Sequence, residues 1–257
     1  MKLTGRTILI TGGSAGIGLA FALKFVELGN EVIVTGRRQS ALDEVKAKHP
    51  RLHTIQSDVA DPAQIAALAA RVKADFPRLD VLMNNAGIFL NKNLKAPAAN
   101  LDGLMTEMNI NVGGVIRMTS AFIDILTPNR GTVINVSSAL AFVALPSAPI
   151  YCATKAAIHS YTQSLRFQLE ETSVEVIEIM PPAVKTDMTA DLPEGDGLTL
   201  MTTDELVKQS FASLKAGALE IRPGQSKTLA LMRRLAPDFI NRQLWKASKK
   251  LVPVGVG

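Results

Sequence analysis

Tyr151 and Lys155 stand four residues apart in Tyr151-Cys152-Ala153-Thr154-Lys155. On a helix that spacing puts both side chains on one face. An ammonium beside a phenol favours the phenolate and lowers the tyrosine pKa from its ordinary value of about 10. A tyrosine so placed can act as a general acid or base near neutral pH. Ser138, thirteen residues before Tyr151, offers a hydroxyl that can hydrogen-bond a substrate oxygen. Tyr-x-x-x-Lys alone is a weak signal, because any helix can contain it as an exposed pair.

A second group of residues suits an anionic, nucleotide-like ligand. The run Thr11-Gly12-Gly13-Ser14-Ala15-Gly16-Ile17-Gly18 joins an apolar strand pattern to a helical one. Glycines allow a tight turn and close backbone approach to a pyrophosphate. The helix start supplies free N–H groups and a favourable dipole. Gly12, Ser14, Gly16, Ile17 and Gly18 are therefore candidate cofactor contacts. The spacing differs from G-x-G-x-x-G, and an ordinary glycine turn is the competing reading. The second strand ends in Val34-Thr35-Gly36-Arg37-Arg38. No acid stands at 35–38 to bind a ribose 2′-hydroxyl, whereas Arg37 and, second to it, Arg38 suit the 2′-phosphate of NADP. Asp58-Val59 follows the third strand, where an adenine would lie, although Asp58 also suits a simple turn. Asn84-Asn85-Ala86-Gly87 follows the fourth, and its small residues suit a ligand crossing the sheet edge.

The elements that position these residues alternate along the chain. Strands are predicted over 6–11, 31–35, 53–57, 80–84, 131–137, 174–180 and 218–221. Helices are predicted over 16–28, 40–48, 62–75, 101–126, 152–171 and 203–216. Leu19, Leu23 and Val26, with Ala20 and Ala22, give the first helix its apolar stripe. Asp61-Pro62 reads as N-cap and first residue of the third. This alternation predicts an α/β fold: a doubly wound, parallel, seven-stranded sheet with helices on both faces.

Together, Thr11–Gly18, Asn84–Gly87, Ser138 and Tyr151-x-x-x-Lys155, in that order, resemble the short-chain dehydrogenase/reductase family, in its single-domain Rossmann-fold branch. The likeness spans residues 5 to about 222. It implies that Tyr151 exchanges a proton with the substrate oxygen, and that Lys155 binds the nicotinamide ribose and lowers the tyrosine pKa. Ser138 would orient the substrate oxygen, and Asn111 would hold a proton-relay water by disturbing its helix. Asn85, with Ala86 and Gly87, would sit near the cofactor ribose. The family usually has Pro-Gly after the sixth strand; this chain has Pro181-Pro182, and Pro182 lacks a backbone donor. Val184 N–H and Thr186 are still expected at the nicotinamide carboxamide. Pro-Pro with Tyr-Cys-Ala-Thr-Lys-Ala-Ala and 172–178 resembles a DltE-type subgroup, whose link to teichoic-acid D-alanylation does not transfer by resemblance. The family also implies a lid over about 183–202; Met188, Leu192, Leu198 and Met201 there suit partly apolar contacts, with core packing an equal competitor. It further implies a homodimer or homotetramer through helices 101–126 and 152–171.

Composition limits the alternatives. The chain has 257 residues, 47% of them hydrophobic, enough for a core and against disorder. A domain over 1–225 and a basic amphipathic extension over 226–257 are expected. That extension carries a net +6 of the formal +5, leaving −1 for the rest, so the body has no charge signature for nucleic acid. A basic amphipathic segment can lie on an anionic membrane, although Pro237 interrupts this one and packing on a subunit competes. The single cysteine, Cys152, suits a reducing, cytoplasmic setting. Ile8-Leu9-Ile10 is too short for a signal-peptide core. Three scattered histidines and one cysteine predict no metal site. Ser138 lacks the G-x-S-x-G surround of a hydrolase, and His159 reads as packing or a subunit contact. The expected function is an NADP(H)-dependent oxidoreductase of a small carbonyl or alcohol. An NADP(H)-binding regulatory protein and a membrane-associated reductase of a lipid or cell-wall precursor are the alternatives.

Overall fold

A computed structural model describes residues 1–91, 94, 101–190 and 199–248. Seven strands form one sheet: β1 (Thr7–Thr11), β2 (Glu31–Gly36), β3 (Leu52–Gln56), β4 (Val81–Asn84), β5 (Thr132–Val136), β6 (Glu175–Ile179) and β7 (Glu220–Ile221). Their spatial order is β3-β2-β1-β4-β5-β6-β7 and every pairing is parallel. The fold is the predicted doubly wound α/β Rossmann architecture. The strand order reverses between β1 and β4, and in such sheets ligands bind beyond the carboxyl ends at that crevice. The glycine turn and Asn84–Gly87 both emerge there.

Helices α1 (Gly16–Glu27), α2 (Gln39–Lys48), α3 (Pro62–Asp75), α4 (Leu101–Leu104), α5 (Gly114–Leu126), α6 (Pro149–Gln168), α7 (Thr203–Lys215), α8 (Gln225–Leu235) and α9 (Pro237–Ser248) cover the sheet and continue beyond it. Strands with both faces covered bury nearly every side chain, and β1, β4 and β5 are buried throughout. Each fully buried large apolar side chain contributes about 1.5–3 kcal/mol. Asp61 caps α3 as predicted, accepting hydrogen bonds from Ala63 N and Gln64 N.

Three sequence expectations need correction. The buried stripe of α1 is Gly18, Phe21, Ala22 and Phe25, whereas Leu19, Leu23 and Val26 are only partly buried. The close approach of Gly18 to the turn fixes the helix rotation, and Phe21 and Phe25 then meet the Phe211 ring. The single helix expected over 101–126 is broken. A π-helical stretch, Met108–Gly113, stands between α4 and α5. Such bulges shift the hydrogen-bond register and re-aim side chains. The helix expected from 152 begins at Pro149, so Tyr151 and Lys155 both lie within it. Pro at the helix start loses no intrahelical donor.

The basic segment forms α8 and α9, with Pro237 at the start of the second. Leu231, Leu235, Phe239 and Trp245 are exposed on them. Lys249 and Lys250, like Leu192 and Leu198 of the expected lid, lie outside the described residues. Among the described residues, no helix is long and apolar enough to cross a membrane.

Candidate active site

The glycine turn is built around two close contacts. Gly12 has φ +65°, and a Cβ there would stand 2.9 Å from Ala86 Cα. A Cβ on Gly18 would stand 2.4 Å from Gly12 O and 2.5 Å from Asn85 Nδ2. Side chains at either position would fill the turn. Asn85 holds the other side, donating to Thr11 O at 3.0 Å and Gly12 O at 3.2 Å. Thr11 Oγ1 accepts from Asn85 N and Ala86 N, both at 3.0 Å. No side chain caps the N-terminus of α1, so its first N–H groups face the turn as donors for an anion. Ser14 Oγ lies 3.2 Å from the Cβ position of Gly36, at the end of β2, and the Thr186 methyl lies 3.2 Å from that of Gly16.

Beyond β2 and β3 opens a cleft of about 470 Å³ whose lining includes Arg37, Asp58, Asp102 and Asn109. Arg38 starts α2 and does not line it. Asp58 Oδ1 accepts from Ala60 N at 2.9 Å, so this residue both shapes its turn and borders the cleft. The Val59 side chain is buried, and its methyls would meet a Cβ on Gly114 at 2.9 Å. Arg37 follows Gly36, whose Cβ position lies 3.2 Å from Ser14 Oγ, so a guanidinium stands near the glycine turn and the uncapped helix N-terminus, where a dinucleotide could bind.

The catalytic candidates converge one strand over. Lys155 is 6% exposed, and its ammonium donates to Val136 O at 2.9 Å. It lies 5.6 Å from the centre of the Tyr151 ring. Asn111, inside the π-helical stretch, spans the β4 exit: Ile88 N donates to its Oδ1 at 2.8 Å, and its Nδ2 donates to Ile88 O at 2.9 Å. Nδ2 also reaches Thr154 Oγ1 at 3.2 Å, which ties it to α6. Asn109 instead accepts from Arg117 at the surface. The Cβ position of Gly87 is 3.2 Å from Asn111 Oδ1 and 3.8 Å from Lys155 Nζ, so these three residues meet. Phe89 sets its ring against Tyr151 at 4.9 Å between centres.

The electrostatics depart from expectation at Tyr151. Burial pushes its phenol well above the ordinary range. A hydrogen bond with Ser138 pulls it back, while Cys152 and Glu107 push it further up. Lys155 moves the other way: burial lowers it from 10.5 to about 8, against an opposing pull from Glu178. The direction expected at Tyr151 is reversed: desolvation, the largest influence on both groups, disfavours both charged forms. Burial also raises the Cys152 thiol, which makes it a poor nucleophile.

The Pro181-Pro182 turn is tied down rather than open. Pro181 O accepts from Ala139 N at 2.8 Å. Lys185 N donates to Met201 O at 2.8 Å and Met201 N to Ala183 O at 2.9 Å, bridging Val184 to Met201. Thr186 caps the short turn Asp187–Thr189.

Sequence reasoning missed a buried polar layer beneath α6. Asn84 Nδ2 donates to Asn135 Oδ1 at 2.9 Å, and Asn135 Nδ2 to Thr162 Oγ1 at 3.0 Å. Glu178, fully buried, accepts from Ser137 Oγ at 2.5 Å and meets His159 Nδ1 at 2.8 Å. The available signal was the polar residue at an inward place in each apolar strand: Asn84, Asn135 and Glu178.

A strand order reversing at a glycine turn, with Ser, Tyr and Lys gathered beside it, defines a Rossmann-fold oxidoreductase. The family model for short chain dehydrogenase matches residues 6–197, and the chain belongs to that family. It is 42% identical over 224 residues to the uncharacterized oxidoreductase DltE of Bacillus subtilis, covering 86% of this chain and 89% of that one. It is 31% identical over 202 residues to the NADP-dependent 3-hydroxy acid dehydrogenase of Schizosaccharomyces pombe, covering 76% and 78%. A short chain dehydrogenase from Burkholderia cenocepacia, solved in complex with NADP, superposes with a TM-score of 0.83 at 28% identity, covering 95% and 99%. A family member from Burkholderia phymatum, solved with NAD, has a TM-score of 0.79 at 22% identity over 94% and 97%, and that likeness bears on fold alone.

Proposed function

We propose that the protein is an NADP(H)-dependent oxidoreductase acting on an alcohol or carbonyl carbon, with Tyr151 as its general acid/base. The observation that carries this reading is the meeting of Ser138, Tyr151, Lys155 and Asn111 beside the glycine turn, at the sheet's reversal point. When bound, the nicotinamide supplies or takes up a hydride. Gly12, Ser14, Gly16, Ile17 and Gly18 would hold the pyrophosphate, and Arg37, with Arg38 at the margin, the 2′-phosphate. Asp58 and the Val59 backbone would border the adenine. Asn85, Ala86, Gly87, Tyr151 and Lys155 would line the ribose, with Val184 and Thr186 at the carboxamide.

The chain's own groups do the proton work. Tyr151, a phenol whose pKa is raised further above 10, holds its proton at neutral pH, which readies it to protonate a carbonyl oxygen during reduction. Ser138 aligns that oxygen by hydrogen bonding. Lys155, anchored on Val136 O, keeps a cation close to the phenol as charge develops. Asn111 braces the β4 exit against α6 through Ile88 and Thr154. Retention of all four residues counts against the purely regulatory alternative. Exposed Ile116 on α5 and Phe167 on α6 support self-association through those helices. Phe239 and Trp245 beside Arg242 and Lys246 on α9 leave a membrane-surface contact open to experiment.

The cofactor assignment is tested by initial rates. NADPH should support turnover with kcat/KM at least tenfold above NADH. Arg37→Ala should erase most of that preference, since a charge-assisted phosphate contact is worth about 1.5–3 kcal/mol. An NADH preference in the unsubstituted protein would refute the role given to Arg37.

A further inference from the structure

Glu178 is a carboxylate at 0% exposure inside the sheet, and the proton chemistry above does not use it. Burying a charge costs several kcal/mol unless it is paired and hydrogen-bonded. Both oxygens are engaged: Ser137 Oγ donates to Oε1, and His159 Nδ1 stands on Oε2. Each partner leads back to the catalytic candidates. Ser137 precedes Ser138 and follows Val136, whose carbonyl receives the Lys155 ammonium. His159 is one helical turn beyond Lys155 on α6.

We propose that Glu178 and His159 are positioning residues for the Tyr151–Lys155 centre: the carboxylate clamps the end of β5, and the proton on His159 sets the net charge that Lys155 faces. This inference rests on Tyr151 and Lys155 being the proton-transfer centre.

With His159 protonated the pair is neutral. Once His159 loses its proton, the pair carries a net negative charge, which helps Lys155 keep its own. The surrounding groups agree with this coupling. Glu178 raises the His159 pKa, chiefly by hydrogen bonding, while burial opposes. Glu220 raises it further and Arg222 lowers it. Arg166, on α6, faces Glu220 at 3.7 Å. Gln163 meets the second ring nitrogen at 3.3 Å, and Phe142 packs edge-on at 5.1 Å between centres. At Lys155, Glu178 works against the lowering caused by burial.

The test is the pH dependence of NADPH oxidation with a carbonyl the unsubstituted protein reduces, paired with NMR titration of the His159 ring. Glu178→Gln keeps the shape and removes the charge. It should move the alkaline limb of the rate profile down by about one pH unit and lower the His159 midpoint. His159→Gln keeps a donor toward Glu178 but never carries a charge. It should not move that limb down. If Glu178→Gln does not fold, Lys155→Met decides: by reciprocal linkage, removing the ammonium should raise the His159 midpoint. An alkaline limb that stays in place in Glu178→Gln, one that moves down in His159→Gln, or a His159 midpoint unmoved by Lys155→Met would overturn the proposal. An active Tyr151→Phe variant would instead overturn the reading of the centre itself.

Discussion

Tyr151→Phe should lose roughly a thousandfold or more in kcat while binding NADPH nearly as well as the unsubstituted protein. The phenol oxygen carries the proton, and general acid–base catalysis contributes about 10²–10⁴-fold. Phenylalanine keeps the ring that packs against Phe89, so the local fold should persist. Fluorescence titration of NADPH and single-turnover rates separate the two effects. Loss of binding together with rate would make Tyr151 a cofactor ligand first and an acid second.

Lys155→Met should be equally inactive, yet no less stable than the unsubstituted protein. Burial drops the Lys155 pKa from 10.5 to about 8. At about 1.36 kcal/mol per unit, keeping this ammonium inside at neutral pH costs on the order of 3 kcal/mol. Its charge-assisted bond to Val136 O returns about 1.5–3 kcal/mol of that. Methionine fills similar volume without the charge. For a chain this size, a net gain of up to about 1.5 kcal/mol is worth at most a few degrees in melting temperature. The sign also sets a pH dependence. Between about 8 and 10.5 the unfolded chain holds this proton more tightly than the folded one, so this group's penalty fades as pH rises. The advantage of the methionine variant should therefore be largest below pH 8 and vanish above 10.5. His159 contributes oppositely, because its raised pKa gives stability that is full at low pH and lost as pH passes its folded value. A variant melting clearly below the parent would show that the ammonium is a net stabiliser.

The sheet was legible because its strands are short apolar runs and its helices are periodic, and because βαβ connections admit few topologies. The glycine turn was legible as a spacing at a strand–helix junction, but its contacts are only partly local: Gly18 meets Gly12 O and Asn85, and Gly12 meets Ala86. Tyr151 and Lys155 were legible as a spacing. Their environment was not, because burial is a property of the folded whole. That is why the direction of the Tyr151 pKa came out reversed. The break in helix 101–126 was hidden from periodicity, although the family resemblance expects a disturbed helix at Asn111. Its site is marked by Asn111, whose amide spans Ile88 and Thr154, and neither partner is near it in sequence. Glu178 escaped notice, and its partner His159 read only as packing or a subunit contact, for the same reason: a glutamate in Val-Ile-Glu-Ile reads as a solvent-facing alternate until α6 is laid over it.

The most direct test follows the hydride. NADPH deuterated at the transferring C4 position is incubated with a panel of aldehydes and ketones, and products are read by mass spectrometry. The account predicts one deuterium on the carbinol carbon of the reduced product, with none in the Tyr151→Phe reaction. No NADPH oxidised across the panel, or a product whose carbinol carbon lacks the label, would contradict it.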